Sequence, residues 1–351
     1  MFSYLAGVGV SKTRQEAVIC YVEGPGRSRV AASGQGHVAR IGFDGFLSRL
    51  RRAAVAGAVC GSMRRSTVER RRPVKAGLVV AGLMILGGAL SAPEVRSDEP
   101  RPGMILIPAG AFIMGADKGG EQDEHPAHKV ELSAYYIDRH EVTYGQYMEC
   151  VKAGTCRKPR NVGRGFNENP KLPVVGVSWT DAETYCTFAG KRLLTEAEWE
   201  KAARGANGQR YPWGDDPPGP EHGCYNFIEK GLCEPGSYPK GDSPYGVADM
   251  AGNVWEWIAD VYDASYYPRS AKKDPKGGTC DESLAFFRQL RKEGKQGFTG
   301  SNPIPDECER VLRGGAWNYN GKGLRSSNRV HHAKRFRIKV AGIRCGADAP
   351  N

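Results

Sequence analysis

The stretch of residues 245–257 holds the side chains whose chemistry is most readily interpreted. Asp249, Asn253 and Glu256 supply oxygen atoms over a short segment, and two glycines and the asparagine permit a tight or left-handed backbone. Oxygen ligands spaced over a turn in this way suit a hard cation such as Ca²⁺. The same segment could instead form a capped turn packed on its two tryptophans, without a metal ion. The residues alone leave both interpretations open.

Residues 63–92 have the features of an export signal. A cluster of basic residues precedes a short apolar run, and small residues follow it. The run is short for a membrane span, which needs about 20 residues, so we expect a signal peptide cleaved near Ala92, with an uncleaved anchor as the alternative. The protein is then periplasmic or extracellular, or anchored to the inner membrane. Because Met63 stands just before the signal, we interpret residues 1–62 as a mis-assigned extension, and residues 93–102 as a linker.

The net charge of +11 comes mainly from this N-terminal part of the chain. Residues 1–98 contain 15 Lys and Arg against 6 Asp and Glu, whereas the remainder contains 35 against 33. Nucleic-acid binding needs clustered cationic contacts to phosphates, which a near-neutral domain does not supply. We therefore expect no nucleic-acid partner, and membrane contact only through the N-terminal segment if it stays uncleaved.

Cysteines form a second chemical group. Two of the ten, Cys20 and Cys60, lie in the N-terminal extension, and the remaining even number fits full pairing in an exported protein. The remaining eight are Cys150, Cys156, Cys186, Cys224, Cys233, Cys280, Cys308 and Cys345. Short spacing favours local loops from Cys150 to Cys156 and from Cys224 to Cys233, while Cys280 and Cys308 bracket a segment that one bridge could close. The absence of a Cys-x-x-Cys pair argues against zinc and thioredoxin-like redox sites.

The pattern of short apolar segments predicts an α+β fold rich in loops, as 46 Gly and 22 Pro also favour. Strands are expected at residues 104–107, 111–114, 130–132 and 135–137, with a turn at 108–110 between the first two.

Helices are expected where a threonine is followed three residues later by Glu or Gln, because the two side chains cap the first turn reciprocally. Such boxes begin at Thr143, Thr180 and Thr195, and glycines end the three helices. The predicted helices span about 143–153, 180–189 and 195–204, and a fourth lies near 284–291.

Residues 103–347, apart from an insertion at 264–309, resemble the sulfatase-modifying-factor or formylglycine-generating-enzyme family. The motifs that carry the resemblance occur in order along the chain. They are Ile107-Pro108-Ala109-Gly110-Ala111-Phe112-Ile113-Met114-Gly115, Asp138-Arg139-His140-Glu141-Val142-Thr143, Pro173-Val174-Val175-Gly176-Val177-Ser178-Trp179, residues 189–200, Tyr211-Pro212-Trp213-Gly214, Gly252-Asn253-Val254-Trp255-Glu256-Trp257, Arg313-Gly314-Gly315-Ala316-Trp317 and Gly342-Ile343-Arg344-Cys345. The resemblance implies a single compact domain, related to C-type lectins, with sparse secondary structure stabilised by calcium and disulfides.

The resemblance also implies structural roles for particular residues. Backbone carbonyls of Asp249, Gly252 and Val254 and the carboxylate of Glu256 match one family Ca²⁺ site. Asn226 and Phe227 match half of the family's second Ca²⁺ site. The acidic residue that would complete this site downstream is not clear in the sequence. A disulfide between Cys186 and Cys345 is likewise implied.

The catalytic positions depart from the family pattern. Formylglycine-generating enzymes bind copper(I) through two cysteines, five residues apart, after the Gly-Gly-aromatic turn, and use O₂ to oxidise a substrate cysteine. The corresponding residues here are Tyr319 and Leu324, and neither supplies the thiolate that copper(I) selects. We therefore do not expect copper or the family's oxidation, and the catalytic residues remain unknown.

Three functions remain. The first is binding of a peptide, protein or small molecule in the family groove, whose candidate lining is Trp317, Asn318, Tyr319, Asn320, Arg325, Ser326 and Arg329. Arg325 and Arg329 could clamp a carboxylate or sulfate, or could be purely structural. The alternative is a metal-dependent oxidoreductase using copper or non-heme iron, although the adjacent His331 and His332 would diverge on a strand and leave iron unsupported. The third is a partner-binding module that uses the insertion as its recognition surface.

Overall fold

The computed structural model describes residues 101–295, 297–299, 302–303 and 305–350. The expected extension, export signal and most of the linker lie outside these residues. Within the described ranges, no helix is both long enough and apolar enough to cross a membrane.

Short strands form four small sheets in the described part of the chain. The strands are β1 (Met104–Ile107), β2 (Gly110–Met114), β3 (His128–Leu132), β4 (Tyr135–Asp138), β5 (Arg192–Leu193), β6 (Trp255–Val261), β7 (Gly297–Thr299), β8 (Asn302–Pro303), β9 (Glu309–Arg313), β10 (Val330–Ala333), β11 (Ala341–Gly342) and β12 (Cys345–Asp348). One sheet has the order β1-β4-β12-β5 and another β10-β9-β6-β11, while β2 pairs with β3 and β7 with β8. Strands distant in sequence are neighbours in both larger sheets, so the domain closes through long-range pairing.

The first two strands were predicted correctly, and they do not pair with each other across residues 108–110. β1 pairs antiparallel with β4, whereas β2 pairs with β3. Gly110 has φ of 136°, so the chain changes direction there and passes from one sheet to the other.

In the described ranges, four α-helices accompany the sheets: α1 (Tyr144–Lys152), α2 (Trp179–Phe188), α3 (Glu196–Arg204) and α4 (Cys280–Lys292). The capping boxes predicted at Thr143 and Thr195 are confirmed. The box predicted at Thr180 is wrong, because Ser178 caps α2: its hydroxyl accepts from the Asp181 amide, and the Asp181 carboxylate accepts from the Ser178 amide at 2.8 Å. Thr180 already lies inside the helix.

All four disulfides suggested by spacing or by resemblance form among the described cysteines: Cys150–Cys156, Cys224–Cys233, Cys280–Cys308 and Cys186–Cys345. The last of these joins α2 to β12. Its sequence separation of 159 residues makes it the longest loop closure of the four, and loop-closure entropy grows with length. The α+β fold is confirmed, and the helix predicted near residues 284–291 forms as α4, which is longer than expected at its N-terminal end.

The insertion at 264–309 is partly a core element. Tyr267, Phe287 and Leu290 are buried in the same apolar cluster as Trp199 of α3. The face of α4 that carries Phe287 and Leu290 therefore stabilises the domain and is not available as the recognition surface that we considered.

Candidate ligand-binding site

The loop before β6 has the left-handed backbone that its sequence suggested. Asp249, Gly252 and Asn253 have φ of 57°, 110° and 56°. Asn253 connects three segments: its amide donates to the Cys224 carbonyl at 2.7 Å, its side-chain oxygen accepts from the Cys233 amide at 3.1 Å, and its carbonyl accepts from the Trp317 amide at 2.9 Å. The loop thereby holds the Cys224–Cys233 hairpin against the segment that follows β9.

Glu256, whose carboxylate was expected to bind Ca²⁺, already accepts hydrogen bonds from protein side chains. Arg344 donates to it from Nε and Nη2 at 2.8–3.0 Å, and Trp199 Nε1 donates at 2.6 Å. All three side chains are almost fully buried. The Arg344 guanidinium compensates this charge, so Glu256 does not fit the role of calcium ligand in this arrangement.

Two other carboxyl groups, those of Glu141 and Asp249, are buried close to each other near this loop. Glu141 Oε1 is buried and has no hydrogen-bond partner among the described residues. Burial, with the nearby Asp249 charge, raises the pKa of Glu141 well above its usual range. Burial likewise raises the pKa of Asp249 to about 6, although its carboxylate accepts from the Gly236 amide at 2.5 Å. The described residues contain no group of three His, Cys, Asp or Glu side chains arranged to hold a metal ion.

Asn226 and Phe227, expected to form half of a second calcium site, adopt consecutive left-handed conformations with φ of 52° and 57°. This conformation is costly for a bulky side chain such as phenylalanine. Their amides donate to the Tyr319 carbonyl at 2.7 Å and to the Trp317 carbonyl at 2.9 Å. The pair therefore fixes the predicted groove segment, and its side chains lie beside that segment.

These contacts assemble a surface that we call the aromatic face, comprising Phe166, Phe227, Trp317, Tyr319 and Lys339. The Trp317 ring lies 5.4 Å from that of Phe227, edge to face, and 6.0 Å from that of Phe166. The Lys339 ammonium lies 5.5 Å and 5.7 Å from the Trp317 and Phe166 ring centroids. Phe227 is 61% exposed and Tyr319 39% exposed, so this apolar surface is open to solvent beside the buried Trp317.

Polar atoms next to the aromatic face have no partners in the described part of the chain. They are Trp317 Nε1, Trp255 Nε1 and Asn318 Oδ1, all buried atoms. The Trp255 ring contacts the Tyr319 ring edge to face, at 5.2 Å. Buried donors and acceptors in native proteins nearly always have a partner, which water or a ligand can supply. Asn320, by contrast, uses its side chain to accept from the Lys322 amide and caps a short 3₁₀ turn.

The positions that bear copper ligands in the family hold side chains unsuited to that metal. Tyr319 is partly exposed against Trp255, and Leu324 is fully buried. Every cysteine that the structure describes is in a disulfide, so none of these residues offers a thiolate for copper(I). His331 is similarly committed, because it pairs with Glu309 at 2.5 Å and stacks on Tyr262.

The other residues predicted to line the groove, Arg325, Ser326 and Arg329, make contacts with buried parts of the fold. Arg329 donates to both oxygens of Glu196, at 2.7 and 2.9 Å, and Arg325 pairs with Glu124 at 2.5 Å. Ser326 is fully buried, and its carbonyl accepts from Arg313 at 2.6 Å. The structural interpretation of Arg325 and Arg329 therefore fits their surroundings, and the anion clamp does not.

Two members of the aromatic face, Phe166 and Lys339, were missed. Neither lies in a family motif, but Phe166 is a lone aromatic residue within a loop of Gly, Asn and Arg. An aromatic side chain in such a loop is a usable signal, because it lacks the periodic apolar neighbours of a core strand or helix.

Comparison with known proteins identifies the fold and the family. The family model of the sulfatase-modifying factor enzyme 1-like domain matches residues 91–349. Formylglycine-generating enzyme from Thermomonospora curvata is 34% identical over 247 residues, covering 53% of this chain and 81% of that protein. Inactive C-alpha-formylglycine-generating enzyme 2 from Mus musculus is 32% identical, covering 49% and 74%. Serine/threonine-protein kinase pkn1 from Chlamydia pneumoniae is 35% identical over 275 residues, covering 72% of this chain but only 40% of that protein, so the chain spans about two fifths of that relative's length.

A solved structure shows the same fold. PvdO from Pseudomonas aeruginosa superimposes with a TM-score of 0.53 at 24% identity, covering 70% of this chain and 94% of that one. A likeness at this level of identity establishes the fold alone. Together with the match over residues 91–349, it shows that the chain belongs to the sulfatase-modifying-factor family.

Proposed function

We propose that this chain is an exported family member that binds a peptide or small ligand on the aromatic face and does not perform the family's cysteine oxidation. The observation that carries the proposal is Phe227, a 61%-exposed phenylalanine in a left-handed conformation against Trp317. Backbone strain at an exposed aromatic residue contributes nothing to the core and is typical of binding sites. Aromatic anchors of this kind dominate the binding energy of many interfaces.

The lack of oxidation follows from the donor atoms at the positions of the copper cysteines. Tyr319 and Leu324 supply no thiolate, and the described cysteines are paired. A family relative named as inactive, from Mus musculus, supports the idea that the scaffold persists without this chemistry. The kinase name of another relative belongs to a longer protein, and we do not extend its activity to this chain.

Export and calcium are also proposals. The four disulfides support an oxidising compartment, periplasmic or extracellular. The unmatched Glu141 oxygen and the raised pKa of Asp249 support a cation near the 249–256 loop, held largely by backbone carbonyls. Adding Ca²⁺ to chelator-treated protein should raise its melting temperature, whereas Mg²⁺ should raise it less. Equal curves with and without Ca²⁺ would remove calcium from the proposal.

A phage-display selection from a random peptide library tests ligand binding. The target is the full chain with its disulfides formed. We expect enrichment on the wild type and its loss on the Phe227→Ala variant. Phe188→Ala is the matched control, since Phe188 is also an exposed phenylalanine but, among the residues that the structure describes, makes no ring contact with the aromatic face. Enrichment that survives Phe227→Ala, or no enrichment at all, would contradict the proposed binding site.

A further inference from the structure

A cavity of about 500 Å³ adjoins the aromatic face. It lies between α1 and the loop of residues 158–168, and Phe166 lines it. Phe166 belongs to both the cavity and the aromatic face, since its ring is also 6.0 Å from that of Trp317. A ligand that contacts Phe166 can therefore lie on the aromatic face and reach into the cavity.

The charges around this cavity are mostly positive and uncompensated. Lys158, Arg160 and Arg164 line it, are exposed, and form no salt bridge within the described residues. Lys339, stacked over Phe166, also lacks a carboxylate partner there. The one acidic residue of the lining, Glu168, accepts a hydrogen bond from the Gly165 amide at 2.9 Å. Unpaired cations around an open cavity attract a ligand of opposite charge.

The loop that carries these cations is held in place. Asn167 exchanges hydrogen bonds with the Val175 backbone at 2.7 and 3.0 Å, and the Arg160 amide donates to the Gly176 carbonyl at 2.9 Å. Gly176 has φ of 72°, and a Cβ there would lie 2.5 Å from the Arg160 carbonyl oxygen, so only glycine fits. A fixed loop reduces the entropy cost of binding.

Another cavity of the same volume has the opposite character. It is lined by four carboxylates and two cations, and one of the cations, Arg192, is paired with Glu198 and Asp348. Positive charge is thus a local property of the cavity beside the aromatic face. It does not follow from the overall charge, which is near neutral after residue 98.

We propose that the ligand of the aromatic face is an acidic peptide, with an apolar side chain packed on Phe227 and Trp317 and a neighbouring carboxylate in the cavity of Lys158, Arg160 and Arg164. This inference rests on the proposed function, whose binding surface it extends, and it assigns the ligand's charge. Carboxylates pair with Arg in bidentate geometry, and two arginines, Arg160 and Arg164, line this cavity.

The peptide-library selection tests this proposal through the charge of the enriched sequences. We expect aspartate and glutamate to be enriched next to an apolar residue. A fluorescein-labelled peptide with a phenylalanine flanked by two aspartates should bind the full chain, measured by anisotropy, and its affinity should fall with added salt. Lys158→Glu/Arg164→Glu should weaken binding on the order of tenfold.

The matched control is Lys276→Glu/Arg288→Glu, which reverses one exposed lysine and one exposed arginine elsewhere and should leave the affinity within about twofold. Enriched peptides that are neutral or basic but still require Phe227 would overturn the acidic ligand and leave the proposed function standing. Equal weakening by both double variants would also overturn it, because binding would then follow net charge. No enrichment on the wild type would contradict both proposals.

Discussion

Two regions of the molecule combine cationic side chains with aromatic rings, yet they differ in how many of their polar groups have a hydrogen-bond or salt-bridge partner. The first region, which we call the buried charge cluster, lies around α3 and consists of Glu196, Glu200, Arg313 and Arg329. These side chains pair with one another and with backbone carbonyls. On the aromatic face, Lys339 has no carboxylate partner within the described residues, and Phe227 is exposed in a left-handed conformation. A buried polar group that has hydrogen-bond or salt-bridge partners stabilises the fold, whereas an exposed group without such a partner is available to a ligand.

The largest effect should follow from breaking the buried charge cluster. Arg329→Leu leaves Glu196 charged and buried without its bidentate partner, and we expect a loss of about 3–5 kcal/mol in the free energy of unfolding. Urea denaturation measures it. Arg164→Leu, on the exposed loop, should change the same quantity by less than about 0.5 kcal/mol. The double variant Glu196→Gln/Arg329→Leu should recover part of the loss, and no recovery would contradict the ion-pair explanation.

The pH dependence of stability should report on two buried carboxyl groups, one beside the buried charge cluster and one in the loop before β6. Asp260 accepts a hydrogen bond from the Glu196 amide, and burial, with the Glu196 charge, raises its pKa to about 8, while burial raises the pKa of Asp249 to about 6. A carboxyl whose folded pKa is raised keeps its proton after the unfolded chain has lost it, so stability falls as pH rises through that interval.

In calcium-free protein, we therefore expect the wild type to lose stability between about pH 4 and pH 8 through Asp260, and between about pH 4 and pH 6 through Asp249. Asp260→Asn and Asp249→Asn should each remove the corresponding loss. Each pH unit within its interval contributes at most about 1.4 kcal/mol. Denaturant unfolding at several pH values measures both slopes. A wild-type stability that stays constant relative to Asp260→Asn between pH 6 and 8 would show that Asp260 is already ionised in the folded protein.

Phe227→Gly should separate stability from binding. Glycine adopts φ of 57° without strain, so the variant should be as stable as the wild type or more stable, within about 1 kcal/mol, while peptide binding is lost. Phe227→Ala removes the same ring but keeps the left-handed strain, and should be less stable than the glycine variant by about 1 kcal/mol. A glycine variant that is clearly the less stable of the two would mean that this backbone conformation is not the native one.

The smallest expected effect concerns the cations of the cavity. Lys158→Glu/Arg164→Glu should leave the melting temperature nearly unchanged, corresponding to less than about 0.5 kcal/mol, because both side chains are exposed and unpaired in the described structure. Thermal unfolding measures this change. A large fall would assign these residues a structural role like that of Arg329.

Local signals predicted the helices well, because capping depends on residues three apart. The error at α2 arose where two boxes overlap, and the shorter Asp181 side chain, also held by Arg157, outcompeted the box at Thr180. The site was harder to predict. An arginine that meets a ligand cannot be distinguished by sequence from Arg329, whose partner Glu196 lies 133 residues away. The backbone of Phe227 likewise depends on the segment 317–319, which receives its hydrogen bonds.

The most direct test of the central claim is the fate of a cysteine-containing peptide incubated with the full chain, copper(I) and air, followed by mass spectrometry. The formylglycine-generating enzyme of Thermomonospora curvata, run in parallel, provides the positive control. With Tyr319 and Leu324 in place of thiolate ligands, we expect the peptide cysteine to remain unconverted under conditions in which the control converts it. Conversion to formylglycine by this chain would contradict a scaffold that binds without oxidising.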